Sequence, residues 1–167
     1  LDDSDYPLGQ SLSLSLRRIL SKFKLEKSDR TADLLRRLSS ACGVALPDPD
    51  RQSRELMSWD QVCELRRAGH SIGSHAWSHR PLATLTPEEQ SREIRESKRE
   101  LEALLGREIL SFAYPVGGPM HYDSHSVDQV RRAGYRMAFS FNTGIAALPP
   151  VDWFQIPRES AKSLDVL

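Results

Sequence analysis

A helix signal followed by a short apolar segment occurs twice in the middle of this chain, and this alternation constrains the fold more than any other feature. Ser58 and Gln61 are the ends of a capping box that predicts a helix continuing to Ala68 and terminated by Gly69. The segment Ser71-Ile72-Gly73-Ser74 comes next and is short and small, as suits a buried strand.

The second occurrence is longer. Thr86 and Glu89 are the ends of another capping box, with proline at the first helical position, and the predicted helix ends at Gly106. Residues 109–114 then have the pattern of a strand that stops at Pro115, and a Gly-Gly loop follows. The order of elements predicts an α/β fold, in which sites lie at the carboxyl ends of strands.

Two histidines four residues apart follow the first predicted strand. If the backbone around His75 and His79 curls into a helical turn, both rings lie on one face and can share a divalent metal. Trp77 lies between them and is either a platform on which a sugar stacks or a packed aromatic side chain. The pair is the first candidate site of the chain.

The other histidines have plainer interpretations. His70 precedes the predicted strand, and we expect it at a helix end or behind the ligands rather than on the metal. His121 and His125 repeat the spacing of four, but glycine, proline and serine around them predict a surface loop and a helix start. We therefore expect one metal site rather than two.

Four segments in this order resemble the polysaccharide deacetylase family, also known as the NodB-homology domain or carbohydrate esterase family 4. The resemblance covers about Met57 to Gly144 and depends on the order of the motifs more than on any one of them. The segments are Gly69-His70-Ser71-Ile72-Gly73-Ser74-His75, His79-Arg80-Pro81-Leu82, Phe112-Ala113-Tyr114-Pro115-Val116-Gly117 and Ala133-Gly134-Tyr135-Arg136-Met137-Ala138-Phe139-Ser140.

The resemblance implies a fold and a chemistry. The fold would be a partial, distorted (β/α) barrel, and the activity would be hydrolysis of N-acetyl, sometimes O-acetyl, groups on a polysaccharide. By this resemblance His75 and His79 are ligands of a divalent metal, for which zinc suits the donors best and cobalt or nickel also fits. The backbone amide of Val116 matches the donor to the tetrahedral oxyanion, and Tyr114 would line the groove beside it.

The chain departs from the family pattern at both of its ends. The family's first motif, Thr-Phe-Asp-Asp-Gly, supplies the catalytic base and a third ligand, and the only aspartate pair here is Asp2-Asp3, with no apolar strand before it. The C-terminal Leu-x-His motif, which carries the general acid, is not found after Asp152-Trp153. The chain begins at Leu1, as expected of a piece of a longer protein, and would hold half of a catalytic centre.

Other functions stay open at this point. The same fold could serve as a non-catalytic glycan-binding or scaffold domain, or could hydrolyse another amide or ester. If the chain is a deacetylase, its substrate contains N-acetylated sugars, and chitin-like oligomers, peptidoglycan, poly-N-acetylglucosamine and a lipid-linked sugar are all compatible with the motifs. The resemblance favours the cell envelope or secretion, with the cytoplasm as the alternative.

The first 55 residues lie outside the resemblance. Two helical stripes, from Leu12 to Phe23 and from Ala32 to Cys42, predict a helical hairpin inserted before the NodB-like part. The serine–leucine alternation of residues 11–16 also has the period of a strand. We predict a helical insertion or extension over 1–55 and a partial deacetylase domain over 56–167, within one structural domain.

Composition narrows the partners. The chain has 167 residues, 39% of them hydrophobic, with 23 basic and 23 acidic residues, so its net charge of zero gives no reason to expect nucleic acid or an anionic membrane as a partner. No run of residues approaches the roughly 20 apolar residues that a membrane span requires. Cys42 and Cys63 are interpreted as buried thiols rather than a disulfide.

Overall fold

Parallel pairing of short strands organises the part of the chain that carries the motifs. In the computed structural model, strand β1 (Ser111–Ala113) pairs in parallel with β2 (Met137–Phe139), with Phe112 opposite Ala138. Single parallel bridges extend this sheet on both sides, from Ser74 to Phe112 and from Phe139 to Ile156. Four segments of backbone therefore run side by side in one direction.

The structure describes residues 12–25, 28–46, 56–142 and 144–159. The chain divides into two compact units, Leu1–Met57 and Ser58–Leu167. The first unit contains helices α1 (Leu12–Leu25) and α2 (Ser28–Cys42), so the serine–leucine alternation is helical from Leu12 onward. Asp2-Asp3 and the predicted loop at residues 47–50 lie outside the described residues.

Helices alternate with the strands of the second unit. Helix α3 (Trp59–Arg67) comes before the Ser74 bridge, α4 (Pro87–Leu105) connects that bridge to β1, and α5 (Ser124–Arg132) connects β1 to β2. Parallel neighbours require such crossover connections. None of the described helices is long and apolar enough to cross a membrane.

Both predicted capping boxes are confirmed. The Ser58 backbone amide donates to Gln61 Oε1 over 2.8 Å, and the Thr86 amide donates to Glu89 Oε2 over 2.9 Å. Gly106 takes the left-handed conformation, with a φ of 63°, that ends α4 without the penalty of a Cβ atom. Short-range sequence signals thus set the boundaries of these two helices.

The strands are shorter than predicted. The segment 71–74 forms a single bridge at Ser74 rather than a strand, and β1 takes up only the middle of residues 109–114. A Cβ atom on Gly73 would lie 2.5 Å from Ser111 Oγ, so the glycine allows the close approach of the two backbones. The structure is an α/β arrangement with a small parallel sheet, and the closed barrel stays a prediction.

The core of the second unit lies between the sheet and helices α4 and α5. Aromatic rings make up much of it: the ring centroids of Phe112 and Tyr135 are 5.2 Å apart, and those of Tyr114 and Tyr122 are 4.2 Å apart in a stacked arrangement. The complete buried cluster is Leu82, Leu85, Ile94, Ile109, Phe112, Tyr114, Tyr122, Val127, Val130, Tyr135 and Ala138. This packing holds the carboxyl end of β1 in place.

The two cysteines are not bonded to each other. Cys63 is half-buried, whereas Cys42 is exposed near the end of α2. The prediction of two buried thiols is therefore wrong for Cys42, because the apolar stripe of α2 does not bury that position.

Replacing Asp123 tests the local account of α5. Asp123 is the N-cap, its Oδ1 accepts from the Ser126 amide over 2.8 Å, and Ser126 Oγ donates to Gln90 Oε1 over 2.8 Å. We expect Asp123→Ala to lower the free energy of unfolding at pH 7 by about 1 kcal/mol, measured by urea denaturation. Asp128→Ala, on the exposed side of the same helix, should change it by less than about 0.5 kcal/mol.

The effect of Asp123 should also depend on pH. Burial raises the pKa of its carboxyl group, but hydrogen bonds from Ser126 outweigh burial and the pKa lies below its ordinary value. The ionised form is thus favoured by folding, and its contribution is complete above the unfolded pKa of about 3.9 and is lost as the pH falls through the lower folded value. If the difference in free energy of unfolding between wild type and Asp123→Ala increased below pH 4, this explanation would be wrong.

Candidate active site

His75 and His79 come together just beyond the Ser74 bridge. Their ring centroids are 4.8 Å apart and the ring planes are inclined by 73°. The backbone between them is a loop rather than a helical turn, and Ala76 and His79 have φ angles of 64° and 60°. The predicted proximity is present, although left-handed residues in a loop produce it.

The His75 ring is held in one orientation by the backbone of β1. Its Nδ1 lies 2.6 Å from the carbonyl oxygen of Ala113. A carbonyl oxygen can only accept, so Nδ1 carries a proton, and in the neutral ring Nε2 then keeps its lone pair. Histidines that bind metals typically make this kind of hydrogen bond with their other ring nitrogen.

The electrostatics of His75 favour the form that can bind a cation. Burial lowers the pKa of this imidazole most, and the charges of His79 and Arg158 lower it further, against the opposing effect of the Ala113 hydrogen bond. The neutral ring is therefore favoured, and a metal ligand must be neutral imidazole.

The next strand ends in a strained turn. The Gly117 amide donates to the Pro115 carbonyl over 2.6 Å, and Val116 between them has a φ of 58°. A β-branched residue in this region is a genuine outlier, and strain of this kind clusters at functional sites. Among the residues that the structure describes, none accepts a hydrogen bond from the Val116 amide.

Gly117 has no room for a side chain. A Cβ atom there would lie 2.8 Å from Arg158 Nη2, 2.9 Å from the Phe141 nitrogen and 3.0 Å from the Tyr114 oxygen. The Gly117 carbonyl also accepts from the Phe141 amide over 2.7 Å. The turn is thus fixed to the carboxyl end of β2 as well as to β1.

Arg158 joins the same turn and was not among the residues predicted from the sequence. Its Nε donates to the Ser140 carbonyl over 3.0 Å and its Nη2 to the Tyr114 carbonyl over 3.1 Å. Burial lowers the pKa of this guanidinium group. A signal was present, because Ile156-Pro157 ends a strand-like segment just as Tyr114-Pro115 does.

Tyr114 differs from its prediction as a groove-lining residue. Its side chain is fully buried, its hydroxyl donates to the Phe154 carbonyl over 3.0 Å, and burial raises its pKa. The reason is the period of the strand: Tyr114 shares a face with Phe112, two residues earlier, and that face is the core. The hydroxyl is therefore bonded within the core rather than directed into a groove.

Trp77 is half-exposed in the loop between the two histidines. His70 is exposed just beyond α3, while His125 lies in the first turn of α5 beside Gln129. These positions agree with the plainer interpretations of both histidines.

The site can supply two ligands to a metal. Over the described ranges no group of three or more His, Cys, Asp or Glu side chains is arranged to hold an ion. Two imidazoles, one of them preset as a neutral donor, fit zinc, cobalt or nickel as part of a ligand set.

Comparisons with known proteins identify the relatives of this chain. A sequence model of the polysaccharide deacetylase family matches residues 29–138, starting within α2 and so upstream of the motif-bearing segment. The protein YxkH of Bacillus subtilis, provisionally named a polysaccharide deacetylase, is 30% identical over 88 residues. That alignment covers 53% of this chain and 30% of YxkH.

Solved structures give the same result. The Streptococcus pyogenes deacetylase PplD, solved in complex with acetate, is 25% identical with a TM-score of 0.56, and the match covers 61% of this chain and 43% of PplD. A polysaccharide deacetylase from Bacillus cereus is 26% identical with a TM-score of 0.52, over 61% of this chain and 31% of its own. This chain thus spans less than half the length of each of these relatives.

The parallel strands are joined by helices, and the candidate site residues lie beyond the strand ends. This arrangement defines an α/β protein with the NodB fold of these neighbours. The family match covers well over half of the chain. The chain belongs to the polysaccharide deacetylase family, as its four motifs indicate.

Gly117→Ala tests the packing of the turn. We expect it to destabilise the protein by about 1–3 kcal/mol more than Gly106→Ala, because both residues have positive φ but only Gly117 lacks space for a methyl group. Thermal and urea denaturation of the two variants would measure the difference. Equal losses of stability in the two variants would mean that the turn accommodates a methyl group without an energetic penalty and is not held by Phe141 and Arg158.

Proposed function

We propose that this chain carries part of the active site of a metal-dependent hydrolase that removes N-acetyl, or O-acetyl, groups from a polysaccharide. The observation that carries the proposal is the histidine pair, with ring centroids 4.8 Å apart and the His75 Nδ1 directed to the Ala113 carbonyl. Family membership supports a glycan as the substrate class.

His75 and His79 are the residues that would hold the metal. Zinc is the metal proposed, because two imidazole donors suit it, and cobalt or nickel would fit the same donors. When bound, such an ion supplies Lewis-acid chemistry to the hydrolysis of the acetamide. The hydrogen bond from His75 to Ala113 fixes the ring and its tautomer before any ion arrives.

The Val116 amide is the proposed donor to the oxyanion. Its backbone is strained and is followed by a glycine that Phe141 and Arg158 enclose, so the N–H direction is set in advance. Preset donors of this kind stabilise the charge that develops on a carbonyl oxygen, and removal of one costs about 3 kcal/mol in activation free energy.

The general base and acid of the reaction are not assigned to any described residue. A carboxylate has to remove a proton from the attacking water, and an acid has to protonate the leaving amine. The roles proposed for residues of this chain are therefore metal ligation, oxyanion stabilisation and glycan contact.

Zinc binding by the purified chain tests the proposed ligands. We expect about one zinc ion per chain, lost in the double variant His75→Ala/His79→Ala, because two imidazoles are the donors that the site offers. The matched control is His121→Ala/His125→Ala, the other pair with a spacing of four, which should keep the zinc. Isothermal titration calorimetry and metal analysis measure both; zinc retained in the first variant and lost in the second would refute the assignment.

Trp77→Ala tests the glycan contact. Stacking of a sugar on an exposed indole is worth about 1 kcal/mol, so we expect about a fivefold weaker affinity for an N-acetylglucosamine oligosaccharide. Trp59→Ala is the control, since Trp59 is exposed to a similar extent but lies at the start of α3. An equal loss in both variants, or none in Trp77→Ala, would rule out Trp77 as a sugar platform.

A further inference from the structure

A buried carboxylate on α4 faces the loop that carries His79. The residue Glu93 is only 4% exposed although it is charged. A buried ionised carboxylate is costly unless it is paired and hydrogen-bonded. The hydrogen-bond donors to this carboxylate therefore show which segment of the chain Glu93 holds in place.

Within the described part of the chain, three groups donate to this carboxylate, and all of them belong to the residues on either side of His79. The Ser78 amide donates to Oε2 over 2.8 Å, the Ser78 hydroxyl donates to Oε1 over 2.6 Å, and Arg80 Nη2 donates to Oε1 over 3.0 Å. Arg80 Nε also donates to Ser78 Oγ over 2.9 Å, which closes the network on itself. Burial raises the pKa of Glu93, but these hydrogen bonds outweigh burial and keep the pKa below its ordinary value.

His79 needs such support. Its φ of 60° is a left-handed conformation that a non-glycine residue adopts at a cost, and its side chain is exposed. Strained residues of this kind persist only where the surroundings over-determine them. Glu93 lies on a helix of 19 residues and is hydrogen-bonded to the residues before and after His79, which meets that requirement.

We infer that Glu93 is a positioning residue for the His75–His79 site, acting through Ser78 and Arg80 to hold the backbone of His79. The inference rests on the proposed function where it concerns zinc affinity. The hold on the backbone of His79 can be measured in metal-free protein, by hydrogen exchange at the Ser78 amide. The two ligands are thus held by different elements: His75 by the Ala113 carbonyl of β1, and His79 by the carboxylate of α4.

The test is Glu93→Gln in the full chain. Glutamine keeps the size and helix propensity of the residue but presents an NH2 group, and no charge, to the donors of Ser78 and Arg80. Glu100→Gln makes the same change on the exposed part of the same helix. Ser78→Ala, which removes one donor and leaves α4 intact, is the second variant in case Glu93→Gln folds poorly.

Two measurements separate positioning from general stabilisation. Zinc affinity should fall at least about tenfold in Glu93→Gln, the usual scale for residues that support ligands, and less in Ser78→Ala. In metal-free protein, the Ser78 amide should lose protection from hydrogen exchange in Glu93→Gln. Asp123→Ala, which weakens the same unit away from this loop, and Glu100→Gln should keep both properties of wild type.

Each outcome decides the inference. Unchanged zinc affinity or unchanged protection at Ser78 in Glu93→Gln overturns it, and so does an equal loss of affinity in Asp123→Ala. If wild type binds no zinc, the proposed metal site fails, and the inference is then decided by exchange at Ser78: loss of protection in Glu93→Gln alone supports the hold on His79, and retained protection overturns it.

Discussion

The parallel pairing of Ser74 with β1 is the interaction on which the candidate site depends. The Ser74 amide donates to the Ser111 carbonyl over 2.9 Å, and the Ala113 amide donates back to the Ser74 carbonyl over 2.8 Å. Ser74 is itself buried, with its hydroxyl 2.7 Å from that of Ser97 on α4. The residue after Ser74 is His75, so this register brings its ring to the carbonyl oxygen of Ala113.

The same sheet also positions the turn at Val116. The Tyr114 amide donates to Phe139, and beyond the strand ends the Phe141 amide donates to Gly117, so the turn at Val116 follows the end of β2. Arg158 then closes the turn from the last segment of the sheet. The histidine loop and the oxyanion candidate are therefore set by one hydrogen-bonded ladder.

Backbone strain is concentrated in these two loops. In the described part of the chain, the non-glycine residues with positive φ are Ala76, His79 and Val116. Each costs of the order of 1 kcal/mol or more, which the surrounding hydrogen bonds must offset. Glu93 does this for one loop and the enclosure of Gly117 does it for the other.

Features that depend on residues close together in the sequence could be predicted, and features that depend on tertiary contacts could not. The capping boxes at Ser58 and Thr86 act within four residues, so they predicted where α3 and α4 begin. The spacing of His75 and His79 predicted their proximity, but not the left-handed loop that produces it. Glu93 lies in a run of charged residues that by itself predicts a solvated helix face, whereas its burial depends on a loop 15 residues earlier in the chain.

The most direct test of the account is the state of the histidine ring nitrogens, observed by 15N NMR of the metal-free protein and again during a zinc titration. We expect His75 to be neutral with its proton on Nδ1, and we expect zinc to shift the Nε2 signal of His75 and a ring nitrogen of His79 together while the Nδ1 proton of His75 stays in place. A proton on Nε2 of His75, or ring signals that zinc leaves unchanged, would contradict it.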